Sequence, residues 1–223
     1  MANLSEENAT GLNPEEAYRN IHDFCNSALS CYVSFSRAVK NLYRELYYVW
    51  ASPNAVEFNK YREQANYVLG HILDMSHLIE SNAIRNYNVM ANANGAPMIG
   101  EDRLDNLYYD PSYRDDDITY GFGTLVDNQS GIVGMNILQT QDIVSSFDSN
   151  IEEVLSMFDA LPDKIALFDT NDNLKEAFKS EVTKMKSEVS ELVSSMDAEI
   201  KNAIETETNN LRLASNPSSG INA

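Results

Sequence analysis

The feature that most constrains the fold is an apolar repeat in steps of three and four residues, which recurs over four long segments. This spacing places apolar side chains on one stripe of an α-helix and is typical of a coiled-coil seam. In the third segment the register is strict, because Ile137, Val144 and Ile151 follow one another at intervals of seven. The repeat predicts four helices, at about 14–50, 53–92, 134–168 and 172–213.

Polar residues and prolines mark the predicted helix ends. Asn13 is expected to cap the first helix, and Ser52 is expected to cap the second, with Pro53 at its first position. Pro162 falls inside the third apolar stripe. A kink or a short restart is predicted there, because proline removes a backbone donor and clashes with the preceding turn.

These helices predict an all-α fold of two long antiparallel hairpins. The break at Ser52 and Pro53 is too short for any connection but a hairpin turn. One hairpin cannot bury its apolar seam alone, so we expect the two to pack as a four-helix bundle, an intrachain pseudo-dimer. The expected divisions are a first hairpin at 1–92, an acidic linker rich in Tyr and Gly at 93–131, and a second hairpin at 132–223 that ends in a disordered tail.

Charge narrows the partners that this chain is expected to have. It carries 34 Asp and Glu against 16 Lys and Arg, a formal net charge of −18. Such a chain is not expected to wrap a phosphate backbone or to approach an anionic membrane surface. No stretch reaches about 18 consecutive apolar residues, and the start lacks the basic and apolar regions of a secretory leader. We therefore expect a soluble protein, or one exported without a leader.

The sequence predicts no catalytic residue, no metal site and no cofactor. His71 and His77 diverge by about 240° on a helix, so they are expected to be solvated or structural. The linker acids Asp110 and 115–117 lack the spacing of a calcium loop and are expected to be solvated. Glycine-rich phosphate loops and nucleophile elbows are missing from the sequence, which favours a protein that is not an enzyme. The cysteines, Cys25 and Cys31, are predicted to be buried thiols that cannot bridge.

The turn of the first hairpin resembles the WXG family, the early-secreted-antigen-like substrates of type VII secretion. Trp50, Ser52 and Phe58 match a signature of tryptophan, a small residue two positions on, and an aromatic about eight positions after the tryptophan, although the usual glycine is replaced by Ser52. The resemblance covers residues 14–92. In the second half it extends only to the architecture, and Phe168 stands where the tryptophan would be. Family members form antiparallel dimers of hairpins, so this chain is similar to such a dimer joined covalently.

Two further features bear on partners. Tyr113 and Asp117 match the Y-x-x-x-D/E export signal that many family members or their partners carry after the second helix, here at an internal position. Tyr43, Tyr47 and Tyr48 near the hairpin tip are a candidate partner surface, and the alternative is that they belong to the peripheral core, where tyrosines beside a seam more often lie.

The resemblance implies a bacterial, non-enzymatic type VII secretion substrate, or an adaptor or chaperone partner of a secreted effector. Its partner would be secretion machinery or a cognate effector, and the chain would be a monomer or a weak homodimer. It would be secreted without a classical signal peptide, or cytoplasmic before export. The alternative is a helical structural or pore-forming protein that acts at a membrane.

Overall fold

The protein is all-α, as the sequence predicts. The computed structural model describes residues 11–100, 124–127 and 134–215. Helices take up 83% of them, and the strands are two residues long. In chain order the elements are α1 (Pro14–Leu46), β1 (Trp50–Ala51), α2 (Pro53–Phe58), α3 (Lys60–Ala93), β2 (Gly134–Met135), α4 (Ile137–Asp159), α5 (Leu161–Ala166) and α6 (Asp172–Ser215).

Local chemistry explains where several helices begin. The side-chain oxygen of Asn13 accepts hydrogen bonds from the first backbone N–H groups of α1, at 3.1 and 3.3 Å. Ser52 caps α2 in the same way, with Pro53 as the first helical residue. Helix α4 ends at Asp159, and Pro162 lies in the first turn of α5. The predicted caps and the predicted restart are therefore confirmed.

A strand pair alters the helix ends near Trp50. Trp50 and Ala51 pair antiparallel with Met135 and Gly134, and the N–H of Asn136 donates to the carbonyl of Val49 at 2.8 Å. As a result, α1 ends at Leu46 rather than near residue 50, and α4 begins at Ile137 rather than near 134. The partners lie more than 80 residues apart in the chain, so local periodicity does not reveal the pairing.

The chain divides into two compact units, each of which takes segments from both predicted hairpins. The first unit comprises the described parts of Met1–Phe35, Val68–Asp116 and Glu153–Glu188, and the second those of Ser36–Tyr67, Asp117–Glu152 and Val189–Ala223. The division of the sequence into 1–92, 93–131 and 132–223 stays a prediction. No helix in the described ranges has both the length and the apolar character needed to cross a membrane.

The first unit has an aromatic core in which Phe168 is central. Its ring lies 5.7 Å from that of Phe24 and 6.2 Å from that of Phe178, both in edge-to-face arrangements. Helices α3 and α6 are antiparallel in this unit, because His71 pairs with Glu188 at 2.6 Å whereas the side chain of Asn86 bonds the N–H of Asn171.

Both cysteines lie buried in the first unit, as predicted. Burial raises the pKa of Cys31 to about 12. A thiol with so high a pKa stays protonated at neutral pH, so Cys31 is inert as a nucleophile.

In the second unit, α3 and α6 are joined by polar contacts. The ammonium of Lys60 lies 2.6 Å from a carboxylate oxygen of Glu199. The hydroxyl of Tyr61 also reaches Glu199, at 3.0 Å, and the carbonyl of Ser195, at 3.1 Å. These contacts hold the start of α3 against α6 beside the turn that contains Trp50.

Candidate functional site

The turn between α1 and α2 brings the three predicted motif residues together. The indole Nε1–H of Trp50 donates to Oγ of Ser52 at 2.8 Å, and the same Oγ accepts from the N–H of Ala55 at 3.3 Å. The ring of Phe58 lies 5.5 Å from that of Trp50. Ser52 thus closes the helix start and satisfies a buried indole with one oxygen, which the glycine of the family signature cannot do.

Tyr43 belongs to the core of this turn rather than to an exposed patch. It is only 1% exposed, its hydroxyl donates to the carbonyl of Phe58 at 2.8 Å, and the guanidinium of Arg62 lies 5.5 Å from its ring centre. Burial holds the pKa of Tyr43 well above its usual range. Tyr47 is half-buried and Tyr48 is 65% exposed, so the exposed part of the predicted patch consists of these two rings.

A pocket of about 360 Å³ opens beside the turn, within the second unit. Four parts of the chain meet there: β1 with the turn after it, the segment that carries Asp127, β2, and the C-terminal part of α6. The lining includes Trp50, Ser52, Asp127, Gly134, Glu207 and Asn210. The sequence offered one signal of this site, the Trp50 motif, but gave no indication that α6 or Asp127 would reach it.

The side chains of Asn59 and Arg62 position the segment that carries Asp127. The side chain of Asn59 bonds both backbone groups of Leu125, donating to the carbonyl at 2.8 Å and accepting from the N–H at 3.0 Å. Arg62 donates to the hydroxyl of Thr124 at 3.2 Å. Leu125 itself is buried. Two residues beyond it, Asp127 lies at the pocket.

Gly134 allows α6 to approach β2 closely. Its φ is +98°, a conformation that residues with a side chain rarely adopt. A methyl group on Gly134 would lie 2.5 Å from a carboxylate oxygen of Glu207. The glycine therefore leaves space for the Glu207 carboxylate beside the strand pair.

The polar side chains in the described lining of the pocket are acidic or uncharged. Its described lining includes the carboxylates of Asp127 and Glu207, together with the amides of Asn54 and Asn210, and contains no Lys or Arg. With a net charge of −18 on the whole chain, the local field favours a cationic ligand group.

Among the described residues, the other predicted site residues do not line this pocket. Tyr113 and Asp117 of the predicted export signal lie outside the described residues, as do the linker acids Asp110 and 115–117. His71 pairs with Glu188, whereas Nδ1 of His77 lies 3.5 Å from Glu80. Within the described ranges, no cluster of three or more His, Cys, Asp or Glu residues is placed to hold a metal ion.

Comparison of the chain with models of known families, with curated proteins and with solved structures finds no match.

Proposed function

We propose that this protein is a non-enzymatic, tandem WXG-like helical protein, which acts as a type VII secretion substrate or as an adaptor or chaperone of a secreted effector. The observation that carries the proposal lies between the long helices α1 and α3, where Trp50 bonds Ser52 and packs its ring against that of Phe58. The three signature residues therefore share one structural role, which is not expected if they match the signature by chance.

The finer architecture belongs to the same proposal. Two helical hairpins pack as a four-helix bundle and form a pseudo-dimer within one chain. Contacts inside each unit support this packing. In the first unit Phe24 meets Phe168, and in the second unit Lys60 meets Glu199. Each contact joins a helix of the first half of the sequence to a residue of the second half.

The partner in this proposal is a protein, either a component of the secretion machinery or a cognate effector. Tyr48 is 65% exposed near the tip, where its ring packs edge-to-face on Tyr47 at 5.4 Å. Tyrosine combines a large contact area with a polar end, a combination that favours protein interfaces. On its own the chain would be a monomer or a weak homodimer.

Export from the source bacterium tests the proposal with two readouts. The first is the amount of tagged full-length chain in the culture medium, with the type VII secretion ATPase active and inactive. The second is the amount of exported effector after deletion of the gene for this chain. A substrate loses its own export without the ATPase, whereas an adaptor lowers effector export when it is deleted.

Variants at the turn sharpen this experiment. Trp50→Ala is expected to abolish export of the chain if it is a substrate, or export of the effector if it is an adaptor. Tyr67→Ala, at a side chain that is 74% exposed, is expected to leave the same export unchanged. Circular dichroism of both purified variants separates loss of recognition from loss of folding. If neither readout depends on the ATPase or on this gene, the proposal is wrong. Leakage of lipid vesicles at neutral or acidic pH would instead favour the pore-forming alternative.

A further inference from the structure

We propose that the pocket beside Trp50 binds the guanidinium group of an arginine side chain presented by the partner polypeptide. This inference rests on the proposed function in one respect, namely that the partner is a protein. It adds the chemistry by which that partner would be anchored.

The size of the pocket suits one long side chain. Its volume of about 360 Å³ is at the lower end of the range of roughly 300–1,000 Å³ that is usual for small-molecule sites. Apolar surface from Trp50, Met135 and Ala203 lines part of it. Arginine places its methylene stem along such surface while its charged end contacts polar groups.

The polar groups favour a guanidinium over other ligand groups. Asp127 and Glu207 supply two carboxylates, and Asn54 and Asn210 supply amide oxygens. A guanidinium presents five N–H donors in a planar fork, so one group can bond several of these acceptors at once. An anionic ligand would meet two carboxylates and no cationic side chain among the described lining residues.

The backbone beside the pocket is anchored before any ligand binds. Asn59 makes two hydrogen bonds with the backbone of Leu125, two residues before Asp127. Glu207 lies against Gly134 at a distance that excludes a side chain there. Positioning of this kind lowers the ordering cost of binding. Exposed apolar residues adjoin the site in the chain, with Tyr48 two residues before Trp50 and Leu211 directly after Asn210.

A titration of the full chain with N-acetyl-arginine amide tests the site directly. The sequence contains a single tryptophan, so a ¹⁵N–¹H spectrum shows one indole signal, that of Trp50. We expect this signal to shift and to saturate with a Kd that is roughly millimolar, the affinity expected when only one side chain is bound. N-acetyl-lysine amide should bind more weakly, and the uncharged N-acetyl-citrulline amide should not shift the signal.

Variants separate the pocket from the general negative charge of the protein. Glu207→Gln and Asp127→Asn should each raise Kd by about threefold, the effect expected for a solvent-accessible charge pair. Glu205→Gln is the matched control, because it lies exposed on the same helix and changes the net charge equally. It should leave Kd unchanged.

Three results would overturn the inference. They are an indole signal that does not respond to N-acetyl-arginine amide, an equal response to the citrulline compound, and an equal effect of Glu205→Gln and Glu207→Gln. The outcome is distinguishable from that of the export experiment. If export depends on the ATPase but the Trp50 signal does not respond to N-acetyl-arginine amide, only this inference is wrong. If the Trp50 signal responds but neither export readout depends on the ATPase or on this gene, only the proposed function is wrong.

Discussion

The indole of Trp50 donates a 2.8 Å hydrogen bond to the hydroxyl oxygen of Ser52. This bond joins the only tryptophan of the sequence to the residue that caps α2. Trp50 is 1% exposed, so its indole N–H has little access to water as an alternative acceptor. The stability of the turn therefore depends on a single oxygen atom that serves two donors.

Replacing that oxygen should destabilise the protein. Ser52→Ala removes the cap, worth about 1 kcal/mol, and leaves a buried N–H without an acceptor, which costs about 1 kcal/mol or more. Urea unfolding should show a total loss of about 2 kcal/mol. Ser52→Gly retains most of the cap and should lose only about half as much. As a control, Ser145→Ala on the exposed face of α4 should change stability by less than about 0.5 kcal/mol. Equal losses at Ser52 and Ser145 would contradict the dual role.

Asn59 should protect the backbone of Leu125 from hydrogen exchange. Each of its two bonds contributes about 1 kcal/mol, so Asn59→Ala should speed exchange of the Leu125 amide by at least about tenfold. Asn88 makes the same pair of bonds to Ile99, at 2.8 and 3.0 Å, and supplies the matched control. Asn88→Ala should speed exchange at Ile99 and leave Leu125 unchanged. Acceleration at both sites in either variant would show that the bonds do not act locally.

Replacement by alanine should change the stability of the protein in opposite directions at two glycines. Gly134→Ala forces a side chain into φ near +98° and against Glu207, which should cost about 1–3 kcal/mol. A methyl group on Gly70, inside α3, would meet no described atom within 4 Å beyond the local helix backbone. Gly70→Ala should therefore stabilise the protein by up to about 1 kcal/mol. Thermal or urea unfolding measures both. A stabilising Gly134→Ala would refute the close approach of β2 and α6.

Phe168 should contribute far more to stability than its neighbour in the chain. Its ring is 1% exposed and contacts Phe24 and Phe178, whereas Leu167 is 61% exposed. Phe168→Ala should cost about 3–5 kcal/mol, because it opens a cavity in the aromatic core. Leu167→Ala should cost less than about 0.5 kcal/mol. Similar losses in the two variants, measured by urea unfolding, would contradict the central place of Phe168 in this core.

Glu80 should make the stability of the protein fall as pH rises. Its side chain is fully buried, neither carboxylate oxygen has a hydrogen bond within the described part of the chain, and His77 lies 3.5 Å away. Burial raises its pKa from 4.5 to about 7. Between these values the folded state binds more protons than the unfolded state, so stability declines from about pH 4.5 and levels off above about pH 7.

Glu80→Gln isolates this contribution. The variant should lack a pH-dependent loss on the order of 3 kcal/mol that the parent protein shows between pH 5 and 8. Glu63→Gln, exposed on the same helix, should follow the parent protein. Urea unfolding at several pH values measures this difference. If the stability of the parent and of Glu80→Gln changes with pH in the same way, the pKa of Glu80 is not raised.

Much of the helical structure was predictable because its causes are local. The steps of three and four residues indicate α3 and α6, and the caps at Asn13 and Ser52 follow from side-chain oxygens one turn from the N–H groups that they accept. Pro162 predicts the restart at α5 for an equally local reason. By contrast, the sequence left Tyr43 open between a partner surface and the peripheral core, and only the structure, with its bond to Phe58 and the ring contact with Arg62, places it in the core.

The sequence by itself determined the helical fold class, the caps at Asn13 and Ser52 and the turn that contains Trp50, since each arises from residues within a few positions of one another. Only the tertiary structure decided that Trp50 joins a strand pair with Met135, that Asn59 holds Leu125, and that Glu207 completes a pocket beside that turn. These pairings join residues more than 60 positions apart. Their partners depend on how whole helices pack, and a local pattern carries no information about that.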